Sequence, residues 1–135
     1  MLSYGYVALG GAIGSVLRFG INRWLTLLLG DALPWGTILV NIGGAFVIGL
    51  FAASFEGNAR SIIPLEVRQF LLVGLCGGFT TFSSFSLQTL VLLNAGEAGR
   101  AMLNVALSVM LCLIAVSLGY MLPNAVGAVT RSMAP

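Results

Sequence analysis

The sequence predicts an all-α membrane protein with four transmembrane helices, the third of them broken near its middle. Three observations carry this prediction. Of 135 residues, 59% are hydrophobic and 7% charged, and the mean hydropathy is +1.04. Soluble domains carry roughly 25% charged residues, so a soluble enzyme or binding module is excluded. The apolar residues fall into four runs; four spans of about 20–25 residues would use about 80–100 of them and leave only short loops. The third run is too long for one helix and holds Gly77-Gly78 at its middle. Residues 1–135 therefore read as a single four-span membrane domain.

The first span, 4–29, has no basic region before it and starts almost at once, as a retained span does and a cleaved signal does not. Gly30-Asp31 closes it. The second span, 35–56, follows Pro34, which suits a first helical turn because its missing N–H costs nothing there. Trp24 and Trp35 flank the connection as interfacial aromatics do. The third run, 65–94, would reach about 45 Å as one helix, against roughly 30 Å of hydrocarbon. Gly77-Gly78 followed by Phe79-Thr80-Thr81 is poor helix interior. Two half-helices with a break at 77–80, near mid-membrane, are expected. Unwound backbone at that depth must be buried and satisfied, and in transport proteins such breaks hold ions. A glycine kink for close packing is the other reading. The fourth span, 98–122, is expected to stop at Pro123.

Basic residues give little orientation. The side bearing the termini and the 57–63 loop has Arg60, Arg131 and, near its edge, Arg68; the other has Arg100 and Arg23. About three against two is almost no bias. A chain without bias can insert both ways, and an antiparallel, dual-topology homodimer follows naturally.

The sequence has no His and no Lys, which removes imidazole and ammonium chemistry. Net charge +2 gives no reason to expect nucleic acid. Cys76 and Cys112 sit inside apolar runs and read as buried thiols. Polar residues inside the spans each need a reason. Arg18 lies about fifteen residues into the first span; it either snorkels or pairs with a carbonyl, or it draws anions into a vestibule. Thr37 and Asn41, at i and i+4, share a face of the second span, and Asn104, Ser108 and Cys112 form a stripe on the fourth. Such groups can simply bond their own helix or glue two helices together. The segment Thr80-Thr81-Phe82-Ser83-Ser84-Phe85-Ser86-Leu87-Gln88 is the richest. Phe82 and Phe85 fall on one side, with Thr81, Ser84 and Gln88 beside them. Phenylalanines at this spacing can be core or lipid-facing. Hemmed by hydroxyls and an amide, they also suit a pore wall, where ring edges and donors make an anion path. No carboxylate lies deep in a span, where a cation pore or proton-coupled exporter would need one.

These residues resemble the Fluc, or CrcB, fluoride-channel family. The resemblance covers nearly the whole chain. It runs through Gly10-Gly11-Ala12-Ile13-Gly14-Ser15-Val16-Leu17-Arg18-Phe19, Pro34-Trp35-Gly36-Thr37-Ile38-Leu39-Val40-Asn41 and, most specifically, Gly77-Gly78-Phe79-Thr80-Thr81-Phe82-Ser83-Ser84-Phe85-Ser86. It implies an antiparallel dimer with two fluoride pores and a structural Na⁺ at the dimer centre, held by the carbonyls of Gly77 and Thr80 from both chains. It implies Phe82 and Phe85 as pore rings, Asn41 as the pore amide, Arg18 in a vestibule and Ser108 as a pore-side hydroxyl; Thr37, Ser84 and Gln88 join the expected polar track. Two positions depart from the pattern: Gln88 stands where a glutamate is common, and Cys112 where some members have a hydroxyl. The expected function is passive fluoride efflux across a bacterial inner membrane, without enzymatic activity. A small multidrug-type exporter and a structural subunit of a larger complex remain as rivals.

Overall fold

The computed structural model describes residues 2–56 and 63–132, and every element among them is helical. The 57–62 part of the connecting loop, Arg60 included, lies outside the described residues. Helix α1 spans Leu2–Leu29 and α2 spans Trp35–Ser54. Helix α3, residues 65–79, opens with an α-turn, Leu65–Arg68, widens to a π-helix over Gln69–Cys76 and returns to an α-turn at Gly77–Phe79. Helix α4 spans Phe82–Asn94 and α5 spans Ala98–Ser132.

Three segments are long and apolar enough to cross a bilayer: Trp35–Ser54, Leu65–Asn94 and Ala98–Pro123. Helix α1 is 28 residues long. Ser15, Arg18, Asn22, Arg23 and Thr26 dilute its hydropathy. Much of the large apolar surface points outward, Phe19, Leu27 and Met102 among it. The small core holds Ile38, Val40, Phe55, Phe85 and the polar Thr37 and Asn104.

Glycine decides how the helices meet. Gly10 and Gly14 on α1 face Gly74 and Gly78 on α3, two small-xxx-small patterns whose backbones touch. A Cβ on Gly14 would run into the Leu75 carbonyl and come within 2.8 Å of the Phe79 amide nitrogen; one on Gly78 would lie 2.6 Å from the Gly11 carbonyl oxygen. Helices α2 and α5 pack in the same way, Gly49 against Val116 and Gly119 against Phe46.

Two turns follow from left-handed glycines. Gly30, at φ 76°, ends α1 with its N–H on the Thr26 carbonyl. Gly96, at φ 77°, ends α4 in a Schellman arrangement: its N–H donates to the Leu93 carbonyl, and the Glu97 N–H reaches back to Leu92 at 2.9 Å.

The structure moves two boundaries. The break expected at 77–80 falls at Thr80–Thr81. Gly77–Phe79 is helical and the Thr80 N–H still donates to the Cys76 carbonyl at 3.0 Å. Gly78 serves close packing on α1, Gly77 stays exposed within the helix, and the β-branched threonines leave it. Thr80 lies at φ −83°, ψ 157° and Thr81 at φ −150°, ψ 108°. Thr81 then caps the next helix, its Oγ1 accepting the Ser84 N–H at 3.2 Å. Nor does Pro123 stop the last helix, which continues to Ser132. A proline inside a helix removes one backbone hydrogen bond, and the turns on either side can carry the chain past it.

Candidate functional site

The interruption at Thr80–Thr81 frees backbone groups, and three helices answer them. In a continuous helix the carbonyls of Gly77, Gly78 and Thr80 would accept the amides of Thr81, Phe82 and Ser84. The Thr81 N–H instead donates to Asn41 Oδ1 at 2.7 Å, and the Ser84 N–H to the Thr81 hydroxyl. Asn41 Nδ2 returns a bond to the Thr81 carbonyl at 3.1 Å. The α2 side chain thus pairs with both backbone groups of Thr81, as a neighbouring strand would. The Gly78 carbonyl is taken by α1: Arg18 Nε donates to it at 3.1 Å and Ser15 Oγ at 3.5 Å. The carbonyls of Gly77 and Thr80 have lost the amides that helical geometry would supply.

In front of the break lies a groove of about 380 Å³ between α2, α4 and α5. Asn41, Thr80, Thr81, Phe82, Phe85 and Ser108 line it, with Ala45, Ile48, Val109, Cys112 and Leu113 completing the wall. The Phe82 and Phe85 ring centroids are 5.3 Å apart with planes inclined by 51°. Their burial differs sharply: Phe85 is 8% exposed and Phe82 77%. One ring is core and the other stands on the outer surface of this chain. Among the described residues no Asp, Glu, Lys or Arg lines the groove, so its polarity comes from hydroxyls, one amide and backbone.

Of the residues singled out from sequence, Asn41, Phe82, Phe85, Ser108 and Thr80 come together here; Thr37, Ser84, Gln88, Arg18 and Gly77 do not line this groove. Thr37 is buried one turn earlier on α2, accepting from Asn22 Nδ2 at 3.2 Å. Ser84 accepts a 3.0 Å bond from the Thr81 hydroxyl. Gln88 lines a second cavity of about 310 Å³ with Asn22, Thr26, Asp31 and Pro34, and its buried Oε1 has no hydrogen-bond partner among the described residues. Arg18 is a carbonyl-paired residue behind the break. Gly77 is exposed beside it. Cys76 is buried, but Cys112 is half-buried on the groove wall, which corrects the reading of both as buried thiols.

Sequence reasoning passed over Asn22, Thr89 and the partnership of Ser15 with Arg18. Asn22 accepts from Thr26 at 3.3 Å and donates to Thr37, tying α1 to α2. Arg18, Asn22 and Thr26 recur every four residues, a stripe that could have flagged this face. Thr89 showed no pattern; it matters because Asn104, with 0% exposure, donates to it at 2.8 Å.

Among the described residues no group of three or more His, Cys, Asp or Glu could hold a metal. A cation at the break would rest on carbonyl oxygens. That suits a hard ion, which prefers oxygen ligands, and the released carbonyls of Gly77 and Thr80 are such ligands.

The fold and the groove define a small all-helical membrane protein built around an interrupted helix. The family model described as CrcB-like protein, Camphor Resistance (CrcB), matches residues 5–120, and the chain belongs to that family. Three curated relatives carry the name fluoride-specific ion channel FluC. The one from Rhodospirillum rubrum is 50% identical over 119 residues, covering 88% of this chain and 92% of the relative. The one from Opitutus terrae is 50% identical over 120 residues, 89% and 91% of the two chains. The one from Thermus thermophilus is 49% identical over 123 residues, 90% and 94%. They are named as channels, not as enzymes.

Proposed function

We propose that this protein is a fluoride-selective channel that lets the anion leave the cytoplasm passively. The observation that carries the reading is the groove, lined by an amide, hydroxyls and two phenylalanine rings and free of ionised side chains. Fluoride is small, strongly hydrated and an avid hydrogen-bond acceptor, so replacing its water shell requires fixed donors. Asn41 and Ser108 offer them, and the electropositive edges of Phe82 and Phe85 add weaker contacts. The names of the relatives supply the ion. A multidrug-type exporter would need a titratable carboxylate in the groove.

The active form we infer is an antiparallel, dual-topology homodimer of four-span chains in a bacterial inner membrane, with α1 as the additional span. Phe82 rests against Phe85 yet leaves most of its surface uncovered by its own chain, as a residue completing a partner's pore wall would. A Na⁺ ion at the centre of the dimer would be held by the Gly77 and Thr80 carbonyls of both chains. It would tie the chains together and satisfy backbone left without helical donors. Its role is structural, without transport. Cysteines introduced at Asp31 and Glu97 should react with impermeant reagents from both sides of intact membranes; labelling from one side alone would exclude dual topology.

The deciding experiment is efflux from liposomes containing only this protein. Fluoride should leave rapidly and chloride should stay. Equal efflux of both, or of neither, would overturn the reading.

A further inference from the structure

Half-buried Thr89 on α4 and buried Asn104 and Ser108 on α5 form a polar chain with a fixed direction. Thr89 Oγ1 donates to the Phe85 carbonyl one turn back at 2.8 Å. Its only proton is then used, so the same oxygen accepts from Asn104 Nδ2 at 2.8 Å. That bond decides which end of the amide faces Thr89. The other end, Oδ1, faces Ser108, whose Oγ donates to it at 3.4 Å. Asn104 is 0% exposed and does not line the groove, whereas Ser108 does. The final bond is long for a hydroxyl donor, hence weak, while the two before it are short.

We propose that Thr89 and Asn104 are positioning residues that hold the Ser108 proton in reserve, turned toward Asn104 until an anion in the groove draws it away. This rests on the reading of the groove as a fluoride path. With Oδ1 fixed toward Ser108, the hydroxyl has two places to put its proton: a weak acceptor inside the protein, or the ion. Rotation about one side-chain bond exchanges them. Conduction needs sites that bind well enough for entry and loosely enough for release, and a donor held by a competing acceptor meets both needs. Were the amide reversed or absent, Ser108 would keep its proton on the groove at all times, and the ion would leave more slowly.

The test is a double-mutant cycle on fluoride efflux from liposomes. Thr89→Val keeps the shape and removes the acceptor that orients Asn104. It should slow efflux about three- to tenfold, the range expected for one hydrogen bond. Thr89→Ser restores the acceptor and should restore the rate. In a Ser108→Ala background, which has no proton to direct, Thr89→Val should change nothing further. Asn104→Leu is the second probe if Thr89→Val does not assemble, and its effect should likewise vanish in that background. Unchanged or faster efflux in the single variant overturns the proposal, as does an equal loss with and without Ser108. Absence of fluoride efflux from the unaltered protein would overturn the channel reading as well; efflux from it together with an additive cycle overturns this proposal alone.

Discussion

Asn41 pairs with the backbone of Thr81 on both sides, its Oδ1 accepting the N–H at 2.7 Å and its Nδ2 donating to the carbonyl at 3.1 Å. One side chain therefore fixes the point where the helix is interrupted and also lines the groove in front of it. The break and the proposed ion path share that residue.

Asn41→Asp keeps an acceptor for the Thr81 N–H, so the break should survive. It loses the donor and places a negative charge on the groove wall, where low dielectric strengthens repulsion of an anion. Fluoride efflux should fall at least about tenfold, while the variant still elutes with the unaltered protein in size-exclusion chromatography. Undiminished efflux would put the path elsewhere.

Phe82→Ile and Phe85→Ile should differ in kind, because one ring is 77% exposed in this chain and the other 8%. Both lose a ring edge, and both should slow fluoride. Phe85→Ile also reshapes a buried position and should cost about 1–3 kcal/mol of stability; Phe82→Ile should cost much less. Thermal unfolding in detergent beside liposome efflux separates the two effects. Equal destabilisation would contradict the difference in burial.

Gln88 carries no charge, so it should add no pH dependence of its own to efflux across the range in which a glutamate there would titrate. Gln88→Glu would put a carboxyl into the cavity that also holds Asp31. At low pH that carboxyl is neutral and efflux should match the unaltered protein. As pH rises it ionises, repels the anion, and efflux should fall. Efflux from liposomes buffered at a series of pH values reads both profiles; a steep profile in the unaltered protein would mean that another group controls entry.

Arg18→Leu strips the Gly78 carbonyl of its 3.1 Å guanidinium bond and leaves the longer one from Ser15. Losing a charge-assisted hydrogen bond to this part-buried carbonyl costs about 1–3 kcal/mol, so the midpoint of thermal unfolding should drop. If Arg18 acted only by attracting anions at a distance, stability would hold and the salt dependence of efflux would change instead.

Much of this molecule was legible because a bilayer demands apolar runs that sequence displays directly. The interruption was legible too, though two glycines pointed to the wrong residues. Gly77 and Gly78 read as helix breakers, yet both stay helical, and Gly78 presses on the α1 backbone, a contact that its missing side chain permits. The extended residues proved to be Thr80 and Thr81, whose hydroxyls cap turns. Asn41 and the phenylalanines were visible through spacing. Gln88 was aligned with Thr81 and Ser84 on one helix face, but Thr81 lines the groove and Gln88 a second cavity, which spacing along one helix does not reveal. Thr89 and Asn22 act through partners 15 residues away in each case, and nothing local marks them.

The bond between Arg18 and Gly78 joins residues 60 positions apart in the chain. Synthesis runs from the N-terminus, so α1 emerges with its guanidinium and its exposed glycine backbone long before their counterparts on α3 exist. During that interval Arg18 can be satisfied only by water or lipid headgroups, and Gly10 and Gly14 have no backbone to rest against. Helix α1 is thus poorly able to settle before α3 is made. Its final position is set from behind, when the α3 glycines arrive and the arginine trades water for a carbonyl.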